Sequence, residues 1–296
     1  MAIRSSHYKS VQMRAARPRG ASKGRFDKIL AGSGLEERWA KLHKGDREPY
    51  PNAARVTRLA KQHAQFAEWV DAHGGAGEVA DGVQKAWRLF HIGHFADAIA
   101  AGGKFGALGA TAANKAAAIH SLQAGGGEPG RLLDAAITRG ERAVEMLPDD
   151  ANAQYMLALA LGRHSQRISI VKALADGIAT RVRTHLDTTL DLEPRHAEAH
   201  IALGLYHAEI VAKIGSLLAG LTYRASREAA IDHFRRAIKL TPESPIAQIE
   251  YANGLLLVDA NKYREQADEL YARAAALEPG DAMAQLDVER AQRYLR

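Results

Sequence analysis

Four segments of the chain end in the same way, with an apolar helical stretch, a proline and a polar turn. They read AVEMLPDD, TLDLEPRH, AIKLTPES and AALEPGD, and the intervals between their prolines are 46, 48 and 37 residues. Self-similarity at such a period is typical of repeat proteins, in which each unit buries its apolar face by stacking on its neighbours. The chain is therefore predicted to form a helical array rather than a bundle.

The rest of the pattern is also helical. Apolar residues recur at helical spacing and do not alternate with period two, and the 296 residues include only nine prolines. We therefore predict an all-α fold. Its helices are expected near residues 35–44, 53–73, 81–92, 95–102, 107–123 and 130–147, before the repeats, with a final helix, Ala282–Tyr294, that caps the open end.

The residues around each proline resemble the tetratricopeptide repeat (TPR), a helix-turn-helix of 34 residues. In the copy that fits best, the Trp, Leu-Gly and Tyr places and the later Ala, Phe, Ala and Pro places are His200, Leu203, Gly204, His207, Ala230, Phe234, Ala237 and Pro242. The flanking copies place Gln154, Leu157, Ala158, Leu161, Val182, Leu186, Thr189 and Pro194 before it, and Gln248, Tyr251, Ala252, Leu255, Ala267, Tyr271, Ala274 and Pro279 after it. The resemblance implies a right-handed α-solenoid of helical hairpins, although the Trp place is never Trp.

The residues in excess of 34 fall at one place in each repeat. Between the Tyr place and the first alanine place the pattern allows about 9 residues, whereas the chain has 21, 23 and 12. Two hairpins are therefore predicted to be elongated, by about two turns in each helix if both helices share the extra residues. A repeat stretched in this way looks like a TPR subfamily that includes regulator-of-microtubule-dynamics proteins and bacterial relatives of unassigned role. That resemblance covers roughly residues 81–290.

Charge separates the N-terminus from the remainder. Residues 1–61 carry 15 Lys and Arg against 5 Asp and Glu, although the net charge of the whole chain is only +6. We predict a flexible basic arm over residues 1–33, an N-terminal helical segment over residues 34–75 and a TPR-like solenoid over residues 76–296. The cations of the arm are Arg4, Lys9, Arg14, Arg17, Arg19, Lys23, Arg25 and Lys28.

The arm offers an alternative function. A cationic segment binds nucleic acid, a ribosome, an anionic membrane or an acidic protein patch by charge. Its only aromatic residues are Tyr8 and Phe26, too few to argue for base stacking. A solvated tail explains the same composition. The arm also lacks the apolar core of a secretory signal, so a cytoplasmic location is expected.

Catalytic and cofactor motifs give little support for an enzyme. The chain has no cysteine, which excludes thiol nucleophiles and thiolate metal sites. The stretch HAEAH, residues 196–200, reorders the H-E-x-x-H signature of zinc proteases, and Glu198 lies about 200° around a helix from each histidine. Packing between helices is therefore the preferred interpretation of His200 and His207. We expect no metal and no cofactor.

The resemblance also implies a site for another protein. TPR proteins mostly bind other proteins, peptides or helices, in a groove lined by the first helix of each hairpin. Here the groove positions are Asn152, Tyr155, Arg163, Glu198, Glu209 and Asn253. This set mixes both charges, which favours a peptide or helix over a free carboxylate. The expected function is a non-enzymatic scaffold or adaptor.

The elongated hairpins carry apolar runs. The residues are Ile168, Ile170, Val171, Leu174 and Ile178 in one hairpin, and Ile210, Val211, Ile214, Leu217 and Leu218 in the other. Packing between adjacent hairpins would cover most of them. Any remaining apolar surface would suit a partner or a second copy of the chain, that is, a homo-oligomer. The longest uncharged apolar stretch, Ile214–Tyr223, is too short to span a membrane.

Overall fold

The computed structural model describes residues 25–168 and 170–296, and these divide into two compact units. One unit contains residues 25–43 and 47–194. Its helices are α1 (Arg25–Ile29), α2 (Gly34–Leu42), α3 (Ala53–Gln62), α4 (Ala64–Ala72), α5 (Gly75–His91), α6 (Phe95–Gly102), α7 (Gly106–His120), α8 (Glu128–Met146), α9 (Ala151–Ser165), α10 (Ile170–Ala175) and α11 (Ile178–Leu192).

The other unit contains residues 44–46 and 195–296. Its helices are α12 (Ala197–Ile214), α13 (Ser216–Tyr223), α14 (Arg227–Leu240), α15 (Pro245–Ala276) and α16 (Ala282–Tyr294). The described residues contain no strand, so the predicted all-α class is confirmed. Successive helices pair as hairpins, α7 with α8, α9 with α11 and α12 with α14. The last helix has the predicted bounds and packs on α15.

The recurrent prolines locate the start of each hairpin. The N-cap residue of the next helix lies two residues after each proline. The side chain of this residue accepts a hydrogen bond from a backbone N–H of the first turn, and that N–H has no partner within the helix. These caps are Asp150, His196, Ser244 and Asp281. His196 uses its ring: Nδ1 accepts from the N–H of Ala199 at 3.0 Å. The first histidine of HAEAH is therefore a helix cap.

The helical chain begins earlier than the predicted arm allows. Helix α1 starts at Arg25, and Phe26 and Leu30, four residues apart on one face, are fully buried. Arg88 then holds the following turn, because its guanidinium donates to the carbonyls of Leu30 at 3.0 Å and Gly32 at 3.1 Å. The predicted arm boundary at residue 33 is therefore too late. The earlier part of the arm, residues 1–24, lies outside the described residues.

The N-terminal helical segment differs from its prediction in two ways. The helix expected over residues 53–73 is broken at His63, where the backbone is extended, and forms α3 and α4 instead. The segment is also joined to the first repeat by a buried ion cluster. Arg55 donates to Glu48 at 2.6 Å and to the N-cap carboxylate of Asp150 at 3.0 Å. A domain boundary at residues 75 and 76 is therefore not observed, since this buried cluster connects the two sides.

The extra residues between paired helices are confirmed in position, but they do not lengthen both helices by two turns. In the first two elongated hairpins they form separate short helices, α10 and α13, on the way to the second helix. In the third repeat there is no intervening loop. Helix α15 contains both helices of that hairpin, divided at Asp259, whose extended backbone interrupts the helix and whose Oδ1 accepts from the N–H groups of Asn261 and Lys262.

Phe234 fills the centre of the second unit. Its ring is fully buried in helix α14 and lies against Gly204 of α12 and Gly254 of α15. A Cβ atom added at Gly204 would be 2.7 Å from the ring, and one added at Gly254 would be 2.1 Å from it. The two glycines are therefore needed for three helices to meet around one aromatic side chain.

This packing predicts opposite effects of the same substitution at two helical glycines. Gly254→Ala forces the Phe234 ring to move and should lower the free energy of unfolding by about 1–3 kcal/mol. Gly162→Ala is the matched control, because no atom lies within 4 Å of the added Cβ, and it should raise that free energy by about 0.5–1 kcal/mol. Urea denaturation measures both. Equal shifts in the two variants would contradict the packing.

Candidate functional site

The polar residue at the Trp place is bonded to the second helix of its own hairpin. In the hairpin of α9 and α11, His185 Nδ1 lies 2.7 Å from Gln154 Oε1. In the hairpin of α12 and α14, His200 Nδ1 lies 2.9 Å from His233 Nδ1. His185 and His233 occupy equivalent positions, three residues after the first alanine place of each repeat. The polar pair is thus a repeated structural element.

The preceding hairpin contains the same arrangement with different residues. On α7, Asn114 Oδ1 accepts from Arg139 Nε of α8 at 2.8 Å, while its Nδ2 donates to the carbonyl of Ala136. Burial lowers the pKa of Arg139. The glutamines at the Trp place use their amide NH2 in a second way, donating to a proline carbonyl six residues earlier, Gln154 to Pro148 and Gln248 to Pro242. Asn114 and Gln154 thus use both ends of their amide groups inside the protein, whereas Gln248 Oε1 and Arg139 Nη2 are buried without a hydrogen-bond partner in the described part of the chain.

The predicted packing role of His200 and His207 is confirmed. Both side chains are buried. The His207 ring stacks on His233 with centroids 5.6 Å apart, and its Nδ1 accepts from the N–H of Ser226 at 3.3 Å. Within the described residues, no group of three or more His, Asp and Glu side chains is arranged to hold a metal ion. The histidines of this repeat therefore join α12 to α14.

The six predicted groove residues do not share one environment. Asn152, Tyr155 and Asn253 are buried, whereas Arg163, Glu198 and Glu209 are partly exposed. Arg163 lies in one compact unit, and Glu198 and Glu209 lie in the other. Arg163 donates to Gln166 at 3.3 Å, and Glu209 accepts from Lys213 at 2.9 Å. The partly exposed residues are the ones that a partner can reach.

Asn253 belongs to an internal network, and its assignment to an open groove needs correction. It is 2% exposed. Its Oδ1 accepts from the Tyr271 hydroxyl at 2.5 Å, and its Nδ2 donates to Glu250, which in turn accepts from Arg290 of α16 at 3.1 Å. Burial raises the pKa of Tyr271 above its usual 10.0. The network ties the capping helix to the last repeat, a role that the register alone does not reveal.

The basic residues of the predicted arm are mostly outside the described part of the chain. These are Arg4, Lys9, Arg14, Arg17, Arg19 and Lys23. Arg25 and Lys28 are described, and both are exposed on α1. Helix α1 is packed on the protein through the buried Phe26 side chain, so Arg25 and Lys28 project from a helix that is held in place.

The apolar runs of the elongated hairpins are only partly covered. Ile178, Ile210 and Val211 are buried, whereas Leu217 and Leu218 are exposed on α13. The side chains of Ile170, Val171 and Leu174 lie outside the described residues. Leu221, which was not singled out in the sequence, is exposed beside Leu217 and Leu218. Leu221 follows Leu217 by four residues, and this helical spacing, which places both side chains on one face, was the signal in the sequence that could have identified it.

Comparison with known proteins gives the family. Residues 112–293 match the family described as Regulator of microtubule dynamics protein 1-3. The chain belongs to this family. The match includes α8 to α15 and most of α7 and α16, and so covers all the hairpins with polar pairs. The family resemblance inferred from the stretched repeats is thereby confirmed.

A solved structure supports the fold of this family member. The crystal structure of a thermophilic TPR protein from Thermus thermophilus aligns with a TM-score of 0.53 at 16% sequence identity, covering 72% of this chain and 98% of that chain. At this identity the likeness shows the fold alone, which is that of a TPR protein. A search of curated proteins found no match.

The polar pair in the second elongated hairpin can be tested by two substitutions at one position. His200→Gln recreates the Gln–His pair of the preceding hairpin, and it should change the free energy of unfolding by less than about 1 kcal/mol. His200→Ala removes the hydrogen bond to His233 and should cost about 1–3 kcal/mol. Chemical denaturation of both variants is the measurement. A loss in His200→Gln as large as that in His200→Ala would disprove the equivalence of the pairs.

The Gln154–His185 pair predicts a dependence of stability on pH. Burial, and then the charge of Arg181, lower the pKa of His185 below its usual 6.5 in the folded state. When the pH falls below 6.5, the unfolded chain therefore takes up the proton first, and the free energy of unfolding decreases. Between pH 7 and pH 5 this decrease should be smaller in His185→Gln than in the parent. If the free energy of unfolding depends on pH equally in the parent and in the variant, His185 does not contribute to this dependence.

Proposed function

We propose that this protein is a non-enzymatic scaffold or adaptor that binds a peptide or a helix of another protein on the first helices of its hairpins. The TPR fold is generally a protein-interaction scaffold. The observation that carries the proposal is the division of polar residues. Gln154 and His200, at the Trp place, are used inside their hairpins, whereas Arg163, Glu198 and Glu209 are partly exposed residues.

A segment of the chain itself supports this use of α12. The carbonyl of Gly45 accepts from the backbone N–H of Glu198 at 3.1 Å, in the first turn of the helix. A Cβ atom on Gly45 would lie 3.3 Å from the Glu198 side chain. A main-chain carbonyl is therefore held at an N–H group that the helix leaves without an internal partner. The chain itself thus provides an example of a main-chain segment bound at the first turn of α12, beside the Glu198 side chain.

The chemistry of the exposed groups favours a partner with both charges. One cation and two carboxylates do not form the clustered Lys and Arg that a free carboxylate requires. A peptide or amphipathic helix with its own Lys or Arg residues can pair with Glu198 and Glu209. Microtubules are the first partner to test, since the family is described by microtubule dynamics. A cytoplasmic location is part of this proposal.

None of the described helices has the length and apolar character needed to cross a bilayer.

The proposal is tested by affinity capture with the full chain and with a chain that lacks residues 1–24, followed by identification of bound proteins by mass spectrometry. Deletion should stop at residue 24, because Phe26 and Leu30 belong to the core. A partner retained by both chains binds outside the arm. A partner lost with residues 1–24 would support the alternative of association through the basic arm.

The captured partner is then titrated against two charge variants. Glu198→Gln with Glu209→Gln should weaken its binding by about fivefold or more, because each carboxylate accepts a charge-assisted hydrogen bond from a cationic partner. Glu228→Gln with Glu243→Gln removes the same charge at exposed positions elsewhere in the same unit and should leave the affinity unchanged. If both double variants weaken binding equally, the loss of affinity comes from the change in net charge, and Glu198 and Glu209 do not form a specific binding site.

A further inference from the structure

Helix α13 exposes the most apolar surface in the described part of the chain. Leu217 is 76% exposed, Leu218 is 56% exposed and Leu221 is 77% exposed. The helix contains eight residues, SLLAGLTY, and none of them is charged. Three leucines left in water on one short helix are unfavourable unless another surface covers them.

The leucines share one side of this helix. At 100° per residue, Leu217, Leu218 and Leu221 span an arc of about 100°, whereas Ala219, on the opposite side, is fully buried. The helix end is held by the Tyr206 hydroxyl, which donates to the carbonyl of Tyr223 at 3.4 Å. Helix α13 therefore rests on the protein through one side and presents the leucines outward on the other.

Among charged residues, the segment that carries the leucines contains only basic ones. Between Glu209 and Glu228 the chain contains Lys213, Arg224 and Arg227 and no acidic residue. Arg224 and Arg227 are exposed, and Arg224 has a left-handed backbone, with φ of 49°, directly after the last turn of α13. The apolar side of α13 is thus followed by two exposed cations, Arg224 and Arg227, whereas Lys213, which precedes it, is paired with Glu209 at 2.9 Å.

This combination argues against a second copy of the chain as the natural occupant. A stable specific interface needs about 20–30 residues from each partner, and three leucines do not supply that. Two copies facing each other through α13 would also bring their Arg224 and Arg227 side chains together, and like charges repel. A covering surface with negative charge beside an apolar interior fits both features.

We propose that α13 docks on an anionic lipid bilayer, with Leu217, Leu218 and Leu221 inserted at the boundary between headgroups and acyl chains and with Arg224 and Arg227 paired with lipid phosphates. A bilayer needs no complementary pocket, so a protruding helix with exposed leucines is sufficient. The cations add attraction to anionic headgroups that is screened by salt, whereas insertion of the leucines is not. The protein would thus present its hairpins at a membrane surface.

Sedimentation with vesicles of neutral phosphatidylcholine, with or without 30% phosphatidylglycerol, tests the proposal on the full chain. The parent should bind the anionic vesicles in 300 mM salt, where attraction by charge alone is weak. Replacing Leu217, Leu218 and Leu221 by Gln should reduce this binding by at least about tenfold. The same change at three partly exposed leucines elsewhere, Leu122, Leu192 and Leu295, is the matched control and should leave binding unchanged.

The charge contribution is tested separately. Arg224→Gln with Arg227→Gln should weaken binding to the anionic vesicles in 100 mM salt by about five- to tenfold. The control is Arg236→Gln with Lys239→Gln, which removes two cations from the middle and end of α14. All variants keep residues 1–24, so any attraction by the basic arm is common to them.

Insertion is observed directly with a fluorophore. The chain has no cysteine, so Leu221→Cys and Leu295→Cys each provide a single labelling site for a polarity-sensitive dye. Anionic vesicles should shift the emission of the dye at position 221 to the blue and leave the dye at position 295 unchanged. Size-exclusion chromatography with light scattering measures the mass of the parent and of the triple Gln variant.

Four outcomes would overturn the proposal. The parent could fail to bind the anionic vesicles, or the triple Gln variant at α13 could bind them as tightly as the parent. The parent could also be a dimer that the triple Gln variant dissociates, which would assign the leucines to a second copy. A shift at position 221 produced by an acidic amphipathic peptide and not by vesicles would likewise assign the helix to a protein partner.

Discussion

The buried ring of Phe234 organises the second unit. It lies between a glycine of its own hairpin and a glycine of the next, so one side chain joins three helices. Aromatic rings bury large apolar areas, and the absence of a Cβ on both sides lets the helices come close enough to use that area. Stacking of hairpins in this unit therefore depends on a large side chain on one helix and on glycines at the facing positions of two other helices.

The same position in the next repeat shows how such stacking ends. Tyr271 takes the place of Phe234 there, and the helix that follows it is α16. Its ring stacks on Tyr294 of this capping helix, with centroids 3.6 Å apart, and its hydroxyl is bonded to Asn253. Arg290 of the same helix pairs with Glu250. A capping helix thus covers the apolar ring and also supplies a charge to the polar network beneath it, as the end of a repeat array requires.

The polar pairs explain why a motif search is misleading for this chain. Asn114, Gln154 and His200, on the first helices of three hairpins, each accept or share a hydrogen bond with a side chain of the second helix. Histidine serves there because its ring is both flat enough to pack and polar enough to bond. The resemblance of HAEAH to a zinc signature arises because a helix cap and a packing residue happen to be four positions apart. The surfaces that we propose for partners lie elsewhere, on the first helices of the hairpins and on the outward side of α13.

Local signals in the sequence determined the repeats and several boundaries. The proline and the cap two residues later act within one helical turn, so the start of each hairpin, the equivalence of Phe234 and Tyr271, and the bounds of α16 could be read without a structure. The all-α class followed from the same short-range periodicity. The position of the extra residues, between paired helices, was likewise a matter of counting along the chain.

Tertiary contacts decided what local patterns do not encode. The chain is helical from Arg25 because Arg88, far along the sequence, holds the following turn, and the N-terminal segment is continuous with the first repeat because Arg55 reaches Asp150. Asn253 is buried because Tyr271 and Glu250 bond to it. Leu217 and Leu221 are exposed because Ala219 takes the inner side of α13. Each of these outcomes depends on which distant side chains meet, and spacing within one helix carries no information about that.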